Sequence, residues 1–202
     1  GLIDFKDRRV GAFSKGMQQR LGLAQAIIHK PRLLILDEPT TGLDPIGIIE
    51  LKDMIRQWNA SGTTILFSTH NLSEAEELAD NIGIINKAEL IAMGTQEELE
   101  RELGLKTKMT IKLASTYPQL WQLLIAKGID PLEVKAKSLL LKCRREEKAK
   151  ILKSLMEIGV NISDILIKEP SLDEIYRILV ERANNNSSET DTFSNDEALV
   201  GA

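Results

Sequence analysis

Asp37 and Glu38 close a short apolar run, Leu33-Leu34-Ile35-Leu36, and His70 closes a second run, Thr63-Thr64-Ile65-Leu66-Phe67. In an open parallel sheet, ligands sit beyond the carboxyl ends of the strands, so the two carboxylates and the imidazole would converge there. One carboxylate can hold Mg2+ through its water shell, and its neighbour can take a proton from an attacking water. The imidazole can orient that water or a phosphate. Ser14 opens a helical pattern with Gly16 close behind it. Such an N-terminus offers unpaired N–H groups, the positive end of the helix dipole and a hydroxyl to an anion. Metal holder, base, phosphate donors and positioning group are the parts that phosphoryl transfer to water requires.

The elements that must carry these residues follow from periodicity. Met17, Leu21, Ala24 and Ile28 form one helical stripe after Ser14, ended by Lys30-Pro31. The run Leu33 to Leu36 suits a strand buried on both faces. Asp44-Pro45 supplies an N-cap and a first-turn proline for a helix carrying Ile48, Leu51, Ile55 and Trp58. Strand, crossover helix and the β-branched run ending at Phe67 make a βαβ unit with parallel strands. Ser73 with Glu76, and Thr95 with Glu98, have capping-box spacing, and a hairpin fits Ile82 to Met93 between them.

After Gly104 the rhythm changes, with Met109, Ile111 and Leu113 alternating with Lys108, Thr110 and Lys112. A β-α-β-β-α-β order from Leu105 to Lys168 predicts a small ferredoxin-like α+β domain, followed by a helix capped by Ser171. The expected organisation is 1–104, 105–183 and an acidic, disordered tail over 184–202.

Composition narrows the function classes. No apolar run is long enough for a membrane-spanning helix, and the lone Cys143 excludes an internal disulfide. The net charge of −4 resides in the tail, where Glu189, Asp191, Asp196 and Glu197 have no basic neighbour; elsewhere acids and bases balance. Such a neutral body has no basic footprint, and no nucleic-acid partner is expected.

The order of the motifs resembles that of the ATP-binding cassette (ABC) ATPases. Phe13-Ser14-Lys15-Gly16-Met17-Gln18-Gln19-Arg20 is similar to their signature, and Leu33 to Asp37 with Glu38 to Walker B and its catalytic glutamate. Thr41-Gly42-Leu43-Asp44 resembles the D-loop, and Ser68-Thr69-His70 the switch-histidine loop. The resemblance implies an α/β fold: the C-terminal half of a P-loop NTPase cassette with a parallel sheet, followed by the ferredoxin-like domain. It implies ATP and Mg2+ as cofactors, with Asp37 on the metal through water, Glu38 as general base and His70 on the γ-phosphate. Ser14, Lys15, Gly16 and Met17 would bind nucleotide held mainly by a second cassette, in a homo- or heterodimer, with Asp44 at the seam. The other implied partner is an integral membrane permease, with the chain peripheral on the cytoplasmic face of the membrane. Lys15 and Met17 stand where the signature most often has glycine and glutamine, a form similar to exporter-type cassettes.

Two departures matter. Ala88 occupies a turn where the family usually has glycine, and no G-x-x-x-x-G-K-[ST] sequence or glutamine loop occurs. The resemblance therefore implies an ATP-hydrolysing transporter subunit whose 202-residue portion is inactive by itself. A non-transport ABC ATPase acting on ribosomes or DNA, and a non-catalytic regulatory half-cassette, are the alternatives. Other notable residues have simpler readings: His29 sits at a helix C-terminus, Trp58 and Trp121 are packing anchors, Cys143 is a buried small hydrophobe, and Arg144-Arg145 faces Glu146-Glu147 in a solvated turn.

Overall fold

Leu33–Leu36 (β1) and Thr64–Phe67 (β2) pair in parallel, Leu36 opposite Phe67, in the computed structural model, which describes residues 2–193 and side chains over 2–185. The helix between them, Pro45–Ala60 (α2), starts where Asp44 Oδ1 accepts Gly47 N–H at 3.0 Å. Ser14 Oγ likewise accepts Met17 N–H at 3.2 Å and begins Lys15–Ile27 (α1). Leu23 from α1 and Leu51 and Ile55 from α2 pack on Leu34 and Leu36, with Trp58, Ile65 and Phe67 around them. These elements and Leu72–Leu78 (α3) belong to the first of two compact units, Gly1–Ala79.

Two expectations fail in this unit. The strand predicted to be buried on both faces is buried on one: Leu33 and Ile35 are 51% and 66% exposed, as is their neighbour Leu66 at 59%. The helices that pack on this sheet, among the described residues, cover only the Leu34 and Leu36 side. The cap of α3 is Asn71, whose side chain accepts Ser73 N–H at 3.2 Å, rather than Ser73 with Glu76. Asparagine competes well for this position because its short amide reaches the second N–H beyond it.

The second unit is Asp80–Ala202. Ile82–Asn86 (β3) and Glu89–Gly94 (β4) form an antiparallel hairpin through Lys87 and Ala88, both left-handed with φ of 49° and 64°. That is the geometry a tight two-residue hairpin turn requires, adopted here without glycine. Thr95 and Glu98 make the expected capping box at the start of Gln96–Glu102 (α4).

The remaining strands are Thr107–Leu113 (β5), Pro131–Lys135 (β6), Ser138–Cys143 (β7) and Ile162–Lys168 (β8). They form one antiparallel sheet in the order β6-β7-β5-β8, with Leu120–Ala126 (α5) and Lys148–Glu157 (α6) in the connections. This is the ferredoxin-like order, because each βαβ connection leaves room for one antiparallel strand between its ends. Met109, Ile111, Leu139 and Leu141 pack with Leu120, Leu124, Ile151 and Leu155.

Leu172–Phe193 (α7) contacts β3, β4 and α4, which explains why the hairpin groups with the second unit although the motif order assigns it to 1–104. The helix also runs into the stretch from 184 expected to be disordered; residues 194–202 lie outside the described residues. Trp121 is 46% exposed rather than a packing anchor, whereas Cys143 is buried as expected. Arg144 pairs with Glu146 and Glu147 inside the turn, whereas Arg145 pairs with Glu97 and Glu169 outside it, so that turn is tied to the unit. Among the described residues, no helix is long and apolar enough to cross a membrane.

Candidate active site

The parallel register sets the site. Because Leu36 faces Phe67, the residues that follow are also neighbours, and Ser68 N–H donates to Leu36 O at 2.9 Å. Ser68 Oγ then donates to Asp37 Oδ1 and accepts Glu38 N–H at 2.9 Å. Glu38 leaves the strand with φ of 42°, a left-handed conformation that costs an L residue roughly 1–2 kcal/mol. The turn is closed by Thr41 N–H donating to Glu38 O at 3.1 Å.

Turned this way, the Glu38 side chain meets His70. Its Oε1 lies 2.9 Å from His70 Nδ1, and its Oε2 accepts from Thr41 Oγ1 at 2.9 Å. These two bonds, His70 first, hold the Glu38 carboxyl below the usual carboxylate range. An ionised carboxylate can only accept, so Nδ1 carries the proton; the neutral ring then presents a lone pair at Nε2, and the imidazolium presents a second donor. Both side chains are open to solvent, His70 more than Glu38.

Beside this pair lies a buried carboxylate that the sequence motifs do not single out. Glu74 of α3 is 5% exposed and accepts from Thr40 Oγ1 at 2.9 Å, Thr69 Oγ1 at 3.0 Å and Asn71 Nδ2 at 3.2 Å. Three donors compensate the burial of its charge and join the segment after Glu38 to the segment before His70. Gln19 of α1 adds a bond to Pro39 O at 3.0 Å. The one available sequence signal was the density of hydroxyls beside the acids, at Thr40, Thr41, Ser68 and Thr69.

The other expected residues form a second group. Gly42, at φ of 82°, lies under the Lys15 side chain so closely that a Cβ there would stand 2.8 Å from Lys15 Cδ. Gly16 approaches Leu43 in the same way, at an ordinary 3.5 Å. Ser14, Lys15, Gly16 and Met17 therefore neighbour the Gly42–Asp44 turn, with Ser14 and Asp44 acting as helix caps. Asp37, Glu38 and His70 form the acid–imidazole group.

A family model described as ABC transporter matches residues 1–41, which hold both Ser14–Met17 and Asp37-Glu38. The chain is 35% identical over 177 residues to the daunorubicin resistance ATP-binding protein DrrA3 of Streptomyces coeruleorubidus, covering 87% of this chain and 56% of that protein. The chain belongs to the ABC transporter ATP-binding protein family. Similarity to other ABC transporter ATP-binding proteins extends to the lantibiotic transport ATP-binding protein SrtF of Streptococcus pyogenes, 54% identical over 45% of this chain and 40% of that protein. The linearmycin resistance ATP-binding protein LnrL of Bacillus subtilis is 29% identical over 90% of this chain and 60% of that protein. The chain spans about half the length of the curated ABC relatives it matches.

No group of three or more His, Cys, Asp or Glu residues able to cage a metal occurs among the described residues. The donor set nonetheless fits Mg2+, which keeps several waters and is commonly held through one or two carboxylates together with phosphate oxygens. Asp37, with Ser68 Oγ donating to one of its oxygens and the other left open, has the chemistry such a site would need.

Proposed function

We propose that these residues belong to the ATP-binding and ATP-hydrolysing subunit of an ABC transporter, which drives export through a separate membrane permease from the cytoplasmic face of the membrane. The observation that carries this reading is the contact of Glu38 with His70 at the ends of two parallel strands, beside Asp37. The functions named for the relatives, drug and linearmycin resistance and lantibiotic transport, support a transport role over one on ribosomes or DNA.

In this reading, Glu38 Oε1 exchanges its His70 bond for a water, takes its proton, and directs the oxygen at the γ-phosphorus of ATP. The new bond forms from water oxygen to phosphorus as the bond to the β–γ bridging oxygen breaks. Asp37 would hold Mg2+, which when bound neutralises charge on the phosphate oxygens. His70, freed from Glu38, faces the γ-phosphate and donates through Nε2 when protonated. Thr41 and Ser68 keep the two carboxylates aimed, and Glu74 holds the two loops that bear them. The α1 N-terminus, with Ser14, Lys15, Gly16 and Met17, presents its N–H groups to the γ-phosphate of nucleotide carried by a second cassette, with Asp44 at the seam. The cassette portion extends over 1–104, the accessory domain over 105–183.

The 202-residue polypeptide contains no G-x-x-x-x-G-K-[ST] sequence to cradle β- and γ-phosphates, so assayed by itself it should not turn over ATP. Turnover by this polypeptide that Glu38→Gln abolishes would overturn that expectation. The transporter assignment is tested by co-expressing the intact protein carrying these residues with its permease. The two should co-purify from membranes as an ATPase; a complex without ATP turnover would refute it.

A further inference from the structure

β8 (Ile162–Lys168) is the edge strand of the ferredoxin-like sheet and carries three consecutive exposed aliphatic side chains. Ile165, Leu166 and Ile167 are 37%, 63% and 41% exposed. The register sets Ile165 opposite Ile111 and Ile167 opposite Met109, and both of those partners are fully buried. Ile165 and Ile167 thus lie on the side of the sheet that the helices cover, yet the cover stops short of the edge. An open apolar edge of this kind is a template for another strand.

The charges along the same edge indicate which strand. On the outer face, Lys168 continues a row with Lys108 and Lys142, three cations side by side. Like charges at adjacent register positions oppose one another. Two rows away the sheet solves the same problem internally, where Lys112 Nζ meets Asp164 Oδ2 at 2.8 Å and holds Asp164 below the usual carboxylate range.

We propose that two copies of this chain associate edge to edge through β8, in an antiparallel register centred on Leu166. That register sets Leu166 against the partner's Leu166, Ile165 against the partner's Ile167, and Asp164 against the partner's Lys168, with the reciprocal pairs generated by the two-fold axis. Both apolar faces of the edge are extended at once, and Lys168, which makes no ion pair among the described residues of the single chain, gains a carboxylate. Shifting the centre by one residue to Ile165 sets Asp164 against the partner's Leu166 and removes every charge match. Parallel, in-register pairing sets Asp164 against the partner's Asp164 and Lys168 against the partner's Lys168. Among these pairings, only the one centred on Leu166 satisfies both charge and hydrophobic pattern. Ile165 N–H donates to Asp164 Oδ1 at 2.8 Å in the single chain, a local bond that a strand carbonyl would replace on pairing.

This interface lies in the second unit and uses none of the acid–imidazole residues, so it stands independently of the nucleotide reading. Sedimentation equilibrium of the full chain without nucleotide tests it. Dimers are expected, with Leu166→Asp abolishing them; Leu166 is exposed enough for the fold to survive, which circular dichroism verifies. Lys168→Asp alone and Asp164→Lys alone should each weaken association about ten-fold, from two altered cross-strand pairs, while an equimolar mixture of the two variants should restore it as a heterodimer. A chain that stays monomeric at its highest soluble concentration, or a dimer unaffected by both Leu166→Asp and Lys168→Asp, would overturn the proposal.

Discussion

Glu38 and His70, 32 residues apart in sequence, meet at 2.9 Å between Oε1 and Nδ1 because two adjacent parallel strands end level with one another. The contact lowers the proton affinity of Glu38, so under the proposed role of general base the pair as seen is a resting arrangement, whose carboxylate would become a better proton acceptor once the imidazole is released.

That arrangement has a pH signature. Glu38 is depressed below its ordinary value by His70 first and Thr41 second, so its carboxylate persists as pH falls below about 4.5 and is lost on passing through the depressed value. Carboxyl titration by carbon-13 NMR should place Glu38 below the ordinary range. Thr41→Val and His70→Ala should each move it upward, and an unmoved titration in both variants would remove these contacts as the cause.

Glu74 is the strongest candidate for a positioning role. Removing its carboxylate in Glu74→Ala leaves the Thr40 and Thr69 hydroxyls and the Asn71 amide without their acceptor, in a partly buried setting. The expected loss is about 2 kcal/mol of stability in urea denaturation. A change within about 0.5 kcal/mol, the range of ordinary surface substitutions, would show that the network is dispensable.

The Lys87-Ala88 turn offers a stabilising substitution. Ala88 sits at φ of 64°, where glycine avoids the crowding of Cβ against the carbonyl, so Ala88→Gly should gain about 1 kcal/mol. Thermal denaturation with a lowered midpoint would contradict that left-handed geometry.

Acid should loosen the first unit through Glu77. Lys52 and then Arg56 hold its carboxyl below the ordinary range, so this contribution is complete above about 4.5 and disappears as pH drops through the depressed value. Thermal midpoints recorded across that window should fall less steeply for Glu77→Gln than for the unaltered chain; identical slopes would argue against the linkage.

Much of this was legible in the sequence where local chemistry decides. Ser14, Asp44 and Thr95 cap their helices as their types and spacing indicate, and the alternation from Thr107 to Leu113 marks a strand with one wet face. Ferredoxin-like topology followed from element order alone, because connection chirality leaves few alternatives. Burial was harder. The run Leu33 to Leu36 is apolar on both faces, but exposure of Leu33 and Ile35 depends on what packs above them, which their own types do not encode. Glu74 looked like any acid on an amphipathic helix; only the approach of Thr40 and Thr69 from distant segments gives it a role. Asn71 displaced Ser73 as a cap because two good capping residues lay within one turn, and pattern alone does not rank them.

The assignment of Glu38 as general base is tested most directly by phosphate release from the intact ATPase carrying these residues, with ATP binding measured in parallel. Glu38→Gln should bind ATP as before and release phosphate about 100- to 10,000-fold more slowly. Release at the unaltered rate would contradict Glu38 as the group that activates water.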